Sequence, residues 1–376
     1  MHEGIILSQA EASRYSRHLS LPEVGYEGQR RLRTGAVLIV GVGGLGSSAA
    51  LHLAAAGVGR IGLVDFDTVE VSNLQRQVLY NTQDEGRPKV EAAAERLQAL
   101  NPFVKLGSQL RELTEENVNE LIDGYDLIID GTDTFKTRYV INQACATKQV
   151  PNVSASINQF SGHVSVYSAR GGPCYQCLFR APPALEEAPT CGDAGVLGAV
   201  PGLIGLIQAT EALKLLLGIG DSLIGKLLTV DALRMAFHVL SFDRDPYCPA
   251  CGTHSTLSTK GPAASATKQE GSSIGPQELS KILSDGSGPF LLDVREPHEH
   301  AQYNIGGTLI PLTQLPVRID ELAAFKGKPL VVYCRSGMRS AQAVAFLRHQ
   351  GFPLAVNLRG GLQAWKDAGI SSAPEH

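Results

Sequence analysis

The chain alternates short, wholly apolar runs with longer, partly polar stretches, and it does so in two separate regions. AVLIV (36–40), IGLVD (61–65) and DLIID (126–130) have the length and composition of strands buried on both faces. Helix-length segments lie between them. One runs from Leu45 to Ala56, is rich in small residues, and is stopped by Gly57 and Gly59; another opens at Pro88 and closes near Asn101. A strand near 103–107 and a helix near 114–122 continue the alternation, and residues 8–34 predict two short amphipathic helices split near Pro22. The fold class that follows is α/β, a doubly wound, mostly parallel nucleotide-binding sheet. After Pro151 the pattern predicts an antiparallel extension: strands around HVSVY (163–167), an apolar helix around 194–217 and a last strand near 227–231.

Residues 253–273, THSTLSTKGPAASATKQEGSS, hold almost nothing a core can use and predict a flexible linker. From Ile274 a second, smaller α/β domain begins, with FLLDV (290–294) and LVVYC (330–334) as parallel-type strands. The expected domains are therefore 1–252 and 274–376, with the linker 253–273 between them.

Composition narrows the classes. The 376 residues are 43% hydrophobic and 19% charged, ordinary for a globular protein. Net charge is −4, with 21 basic and 27 acidic side chains in 1–252 and 12 and 10 in the remainder, so neither half is a polybasic arm and no nucleic-acid partner is expected. The N-terminal residues lack a basic start followed by an apolar run, and the apolar stretch Ala194–Ile207 spans only 14 residues. The expectation is a soluble, cytoplasmic protein with no membrane partner.

Candidate chemistry begins at GVGGLG (41–46). Gly41, Gly43 and Gly46 stand between a strand and a helix, where backbone amides approach a phosphate and the helix N-terminus favours negative charge. Asp65 ends the next strand, 19 residues after Gly46, placed to accept from ribose hydroxyls. Arg76 and Lys89 add charge suited to a triphosphate, and Asp133 in GTDT (131–134) follows a strand end, where a carboxylate can hold Mg2+ through water. Solvated surface charges and a helix cap remain the bland readings of these three residues, and a nicotinamide dinucleotide remains the alternative ligand.

The seven cysteines divide by spacing. Cys174-x2-Cys177 and Cys248-x2-Cys251 together supply a closed tetrahedral thiolate shell, a structural site suited to Zn2+, with redox dithiols as the alternative. Cys191 sits on a Pro-rich loop and is either a nucleophile or an incidental thiol, whereas Cys145 falls on a helix and reads as core. Cys334 ends a strand, and RSGMRS returns into a helix near Ser340, so loop amides and the helix N-terminus favour an anion on sulfur, with Arg335 and Arg339 adding positive charge. Cys334 and Arg339 are five apart, a loop that suits a persulfide better than a phosphate.

RYSRH (14–18), GVGGLG, DFDTVEVSNLQRQ (65–77), GRPK, GTDT, the two CxxC pairs and TCGDAGVLG (190–198) resemble the ubiquitin-activating-like superfamily. Within it the match is to the MoeB/ThiF/HesA adenylyltransferases of molybdopterin-synthase and thiamine biosynthesis. LLDVREPHEH (291–300), the Cys334 loop and RGGLQAW (359–365) resemble a rhodanese domain, in which Asp293 and Arg295 usually buttress the loop. The resemblance covers 10–252 and 274–370.

It implies an enzyme, an adenylyltransferase and sulfurtransferase. Such an enzyme activates the C-terminal glycine of a small ubiquitin-fold sulfur carrier with ATP and Mg2+, then transfers persulfide sulfur to give a thiocarboxylate. The nucleotide site would comprise Gly41, Gly43, Gly44, Gly46, Asp65, Ser72, Asn73, Arg76, Lys89, Asp133 and Thr134, with Arg17 reaching in from the other subunit of a homodimer. Cys191 matches the position proposed for a thioester or acyl disulfide. The sulfur donor would be a cysteine desulfurase or thiosulfate, and the end product molybdopterin, thiamin, cysteine or thiolated tRNA. Two positions depart from the family pattern: Thr134 replaces an Asn, and His163 replaces a Gln. The competing functions are a thioester-forming activator for protein conjugation, an NAD(P)-dependent oxidoreductase and a non-catalytic scaffold.

Overall fold

In a computed structural model the chain forms two compact units, Met1–Ser258 and Thr259–His376. The structure describes residues 6–168, 171–181, 195–253, 273–284, 288–312, 314–315 and 318–370. Most of the expected linker, 254–272, lies outside them.

The first unit opens with three helices where the sequence predicted two: α1 (Gln9–Arg14), α2 (Ser16–Leu19) and α3 (Gly25–Thr34). Tyr15 makes the extra break, because its ring is buried against Gly57 and its hydroxyl accepts from Asn101 Nδ2 at 2.8 Å, which fixes the chain there. The alternation then follows: β1 (Ala36–Val40), α4 (Gly44–Ala56), β2 (Arg60–Asp65), α5 (Lys89–Leu100), β3 (Lys105–Leu110), α6 (Val118–Leu121), β4 (Leu127–Asp130) and α7 (Phe135–Lys148). Beyond these come β5 (Asn152–Asn158), β6 (Ser161–Tyr167), α8 (Tyr175–Leu178), α9 (Ala199–Leu217), β7 (Lys226–Asp231) and β8 (Ala236–Ser241).

The eight strands lie in the order β3-β2-β1-β4-β5-β6-β7-β8, parallel from β3 to β5 and antiparallel from β5 to β8. The two edge strands were the hard ones to read. β3 (KLGSQL) is mostly exposed and polar and starts later than predicted, and β8 (AFHVLS) pairs on one side only and carries no apolar run.

α9 is the one helix among the described residues long and apolar enough to cross a membrane, and half of that window is buried within the unit. It runs ten residues past Ile207, and its polar residues are tied to the sheet: Gln208 Nε2 donates to Asp130 O and Val153 O at 2.9 Å, and Glu211 accepts the Leu223 N–H at 2.9 Å. It packs on α4, whose Gly, Ser and Ala side chains let two helices approach closely.

The second unit contains β9 (Ser273–Ile274), α10 (Pro276–Ser284), β10 (Phe290–Asp293), α11 (Pro297–Gln302), β11 (Thr308–Leu309), β12 (Leu330–Tyr333), α12 (Met338–His349), β13 (Ala355–Leu358) and α13 (Gly361–Asp367). Its strands form a parallel sheet in the order β11-β10-β12-β13-β9. Both faces are covered. Leu292, Leu330 and Val332 enter one apolar cluster with Leu347 and Phe352, while the alternate residues Leu291, Val331 and Tyr333 enter another with Trp365.

The turn between β1 and α4 depends on two glycines. Gly41 takes φ +80°, and a Cβ on Gly46 would lie 1.9 Å from Gly41 O. At Gly43, by contrast, a Cβ meets only Gln77 Nε2, at 3.7 Å. Gly46→Ala should therefore destabilise the first unit by about 3 kcal/mol or more, while Gly43→Ala stays within about 1 kcal/mol. Equal denaturation midpoints for the two variants would contradict this geometry.

Candidate functional site

The glycine turn is stitched to the neighbouring strand by one carboxylate. Asp65, at the end of β2, accepts the Val42 N–H at 2.7 Å on one oxygen and the Asp67 N–H at 2.9 Å on the other. Burial raises its carboxyl above the ordinary range, and the two amides and Lys89 oppose that shift. Tyr80 donates its hydroxyl to Val42 O at 2.8 Å from the other side.

Lys89, the first residue of α5, is buried, and its Nζ lies 2.7 Å from Asp67 Oδ2. It is thus no solvated surface charge. The segment 72–77 closes the arrangement: Gln77 faces Gly43, Arg76 O lies 3.6 Å from a Cβ position on Gly44, and Arg76 Nη1 donates to Ser72 O at 3.0 Å. Asn73 is buried and donates to Ser72 Oγ at 3.2 Å.

A Cβ on Gly131 would lie 2.7 Å from Gly41 O, so the 131–134 loop starts against the same turn. Asp133 and Thr134 are exposed there. The helix cap is Thr134, whose Oγ1 accepts the Thr137 N–H at 3.3 Å; Asp133 is not the cap.

The fold thus gathers Gly41, Gly43, Gly44, Gly46, Asp65, Ser72, Asn73, Arg76, Lys89, Asp133 and Thr134 around one helix N-terminus. At Gly43 only the end of Gln77 comes near a Cβ position, and Lys89 stands beside Asp67 just past the strand end, a donor set suited to a phosphate chain and a ribose. Arg17 is not brought there by its own chain. It is exposed on α2, and its neighbours Tyr15 and His18 attach at Gly57 and, through Gln29, at Ala56 O. That is the far end of α4, about 20 Å from the turn for a helix of 13 residues.

Several buried groups behind the turn carry no motif. Asp130 is fully buried and accepts from Thr132 Oγ1 at 2.6 Å and Ser154 Oγ at 2.8 Å. Arg138 donates to Thr132 O at 2.8 Å and Ala155 O at 3.0 Å and lies 3.6 Å from Asp130. His163 is half-buried on β6 with its ring stacked on Phe179, 5.7 Å between centroids. Burial, helped by the Arg138 guanidinium, pushes it down to about 4.

The four cysteines converge. Their Sγ atoms all lie within 4.8 Å of one another, with 174–248 at 3.5 Å and 177–251 at 3.4 Å. A tetrahedral Zn2+ with bonds of about 2.3 Å requires sulfur–sulfur edges of about 3.8 Å, so the set fits that ion. The surroundings favour thiolates: the Asp245 N–H points at Cys177 Sγ at 3.4 Å, and Asn142 Nδ2 lies 3.8 Å from Cys174 Sγ. The knuckle ties the segment after β8 to α8 and, through the Tyr175 N–H on Asn142 Oδ1 at 2.7 Å, to α7. Cys145 is buried on α7 as core, and Cys191 lies outside the described residues.

In the second unit Cys334 follows β12 and is only 1% exposed. Its sulfur accepts the Gly337 N–H at 3.1 Å and the Ser340 hydroxyl at 3.3 Å. The loop is clamped from behind by the RGGLQ turn: Leu362 N–H donates to Cys334 O and Gln363 N–H to Arg335 O, both at 2.9 Å, and a Cβ on Gly361 would lie 2.4 Å from Cys334 O.

The arginines differ from the expectation. Arg339 is engaged by Glu299 in a two-point ion pair at 2.6 and 2.7 Å, so its charge does not face the sulfur unopposed. Arg295 pairs with Asp293 at 2.5 Å and donates to Tyr303 O at 2.8 Å, holding α11 in place; the buttress acts through that helix. Arg335 is exposed. Ser340 and Glu299 escaped the sequence reading. Ser340 had a signal, as the first residue after the loop arginine; Glu299 became legible only once α11 was placed beside α12.

Two outcomes are expected. Cys248→Ser, or removal of metal by a chelator, should lower the melting temperature of the first unit by about 5 °C or more, read by calorimetry alongside metal content. An unfolded His163 binds its proton near pH 6.5 whereas the folded one resists to about 4, so stability falls as pH drops through that window. His163→Gln should flatten the stability profile between those values and leave it unchanged above pH 7; an unaltered acid limb would exclude the assignment.

Comparison with known proteins agrees with this geometry. The ThiF family profile matches residues 15–250, and the rhodanese-like domain profile matches 275–368. The chain is 40% identical to the probable adenylyltransferase/sulfurtransferase MoeZ of Mycobacterium tuberculosis, over 96% of this chain and 94% of that protein. It is 48% identical to a sulfur carrier protein adenylyltransferase of Thermus thermophilus, over 66% of this chain and 94% of that one. The crystal structure of E. coli MccB with ATP superposes with a TM-score of 0.56 at 22% identity, covering 63% of this chain and 74% of that one, a likeness of fold. A strand–glycine turn–helix with Lys89 of α5 nearby, a four-cysteine knuckle and a clamped cysteine loop thus share one polypeptide, and the chain belongs to the ThiF family, with a rhodanese-like domain following the ThiF domain.

Proposed function

We propose that the chain is an adenylyltransferase and sulfurtransferase that converts the C-terminal carboxylate of a small ubiquitin-fold sulfur carrier into a thiocarboxylate. The observation that carries this reading is the pairing, on one chain, of a nucleotide turn flanked by a buried lysine with a thiol held by N–H and O–H donors.

In the first step the carrier's carboxylate oxygen attacks the α-phosphorus of ATP, and pyrophosphate leaves with the bridging electron pair. Lys89 and Arg76 meet the growing charge, and the open amides above Gly43 cradle the phosphates. Asp133, an exposed carboxylate at the carboxyl end of β4, is the oxygen ligand we assign to Mg2+. Because Arg17 stands at the far end of α4 from its own turn, we assign it to the turn of a second copy in a homodimer.

In the second step the outer sulfur of a Cys334 persulfide attacks the acyl carbon, and AMP leaves with its oxygen protonated or charged. A thiolate then attacks Cys334 Sγ, forming a disulfide and releasing the thiocarboxylate; Cys191 is the residue we assign to that attack. The donor is a cysteine desulfurase or thiosulfate.

Lys89→Ala should lower carrier-dependent ATP–pyrophosphate exchange by about 100-fold or more. Cys334→Ala should leave that exchange intact and stop thiocarboxylate formation, followed by mass spectrometry of the carrier. Thiocarboxylate made by the Cys334 variant from a persulfide donor would overturn the relay.

A further inference from the structure

Besides the exposed Arg335, five charged or titratable groups surround the Cys334 loop, and all five are matched among themselves. Arg295 and His300 both rest on Asp293, at 2.5 and 2.8 Å, and Arg339 is held at two points by Glu299. Among the described residues the sulfur receives two donors, both uncharged, the Gly337 N–H and the Ser340 hydroxyl. That provision suits a single negative charge on sulfur. It offers little to a ligand bringing two more.

We propose that Glu299 determines which sulfur donors Cys334 accepts, cancelling the charge of Arg339 so that the pocket takes a thiol-borne persulfide and disfavours small dianions such as thiosulfate. This rests on the sulfurtransferase reading above and names its donor class. With a persulfide donor, the Cys334 thiolate attacks the outer sulfur, a new S–S bond forms, and the donor thiolate leaves with the electrons of the broken one. With thiosulfate the same attack expels sulfite, so three negative charges share the approach and two depart together. An uncompensated guanidinium would stabilise that encounter; a carboxylate hydrogen-bonded to it opposes it.

Glu299 stays ionised in this role, since Arg339 holds its carboxyl down at about 2. Glu299 also accepts the N–H of Glu296 at 3.0 Å at the start of α11. A glutamine keeps an acceptor for that bond, so the charge can be removed while the helix start is retained.

The test uses the full chain, with cyanide as sulfur acceptor and either thiosulfate or a persulfide-loaded cysteine desulfurase as donor. Glu299→Gln should lower the KM for thiosulfate about tenfold and leave the desulfurase reaction within about twofold. In an Arg339→Met background the same substitution should give no gain, because no cation is left to release. An unchanged or raised thiosulfate KM in Glu299→Gln, or a gain that persists without Arg339, would overturn the proposal while leaving sulfur transfer in place. Absence of Cys334-dependent transfer from both donors in the parent chain would remove the underlying reading as well.

Discussion

One carbonyl oxygen organises the first unit. Gly41 O occupies the volume that a side chain at position 46 would need, and it is also the nearest atom to a Cβ on Gly131. Three backbone segments therefore meet with no side chains between them: the exit of β1, the first turn of α4 and the exit of β4. This contact sets where α4 begins, with its first turn beside Gln77 at Gly43. From there the connection is polar and stepwise, with Val42 bonded to Asp65, Asp65 to the Asp67 amide, and the Asp67 carboxylate to Lys89. The position of the lysine is thus inherited from the backbone of the turn through two acids.

The second unit reaches a comparable result by another route. Its cysteine loop is fixed by a second loop pressed against its back, where Gly361 lets the backbones touch and two N–H groups seize the carbonyls of Cys334 and Arg335. Both sites stand at the carboxyl ends of parallel strands, where strand-to-helix turns expose backbone donors. In each the helix that follows supplies donors close to the reactive point. The distinction lies in access: Gly43 and Gly44 are half-buried, while Cys334 is enclosed.

The strands with continuous apolar runs were legible in sequence almost to the residue, because burial on both faces leaves no room for polar interruption. β1 and the paired strands β10 and β12 are of this kind. The edges were not: β8 is half-solvated, its Phe237 and Val239 are exposed, and AFHVLS shows neither an apolar run nor a clean alternation. The four clustered cysteines were legible from spacing alone, since two thiolates three apart can share an ion wherever they occur. The charge state around Cys334 was not legible. Arg339 reads as a free cation beside a cysteine until α11 is placed, and only tertiary structure sets Glu299 against it. The buried Asp130–Arg138 pair behind the nucleotide turn escaped for the same reason: the two residues lie on successive elements, and neither stands in a motif that sequence reading would single out.

The enclosure of Cys334 has a further consequence for the durability of the protein. The thiolate of a cysteine awaiting sulfur is the form most open to peroxide, and oxidation beyond the sulfenic acid is irreversible in most settings. With the residue 1% exposed and its sulfur bonded to donors from within the same unit, this cysteine is shielded from oxidants in solution. Such enclosure lengthens the time over which the thiol stays chemically competent, compared with an exposed cysteine.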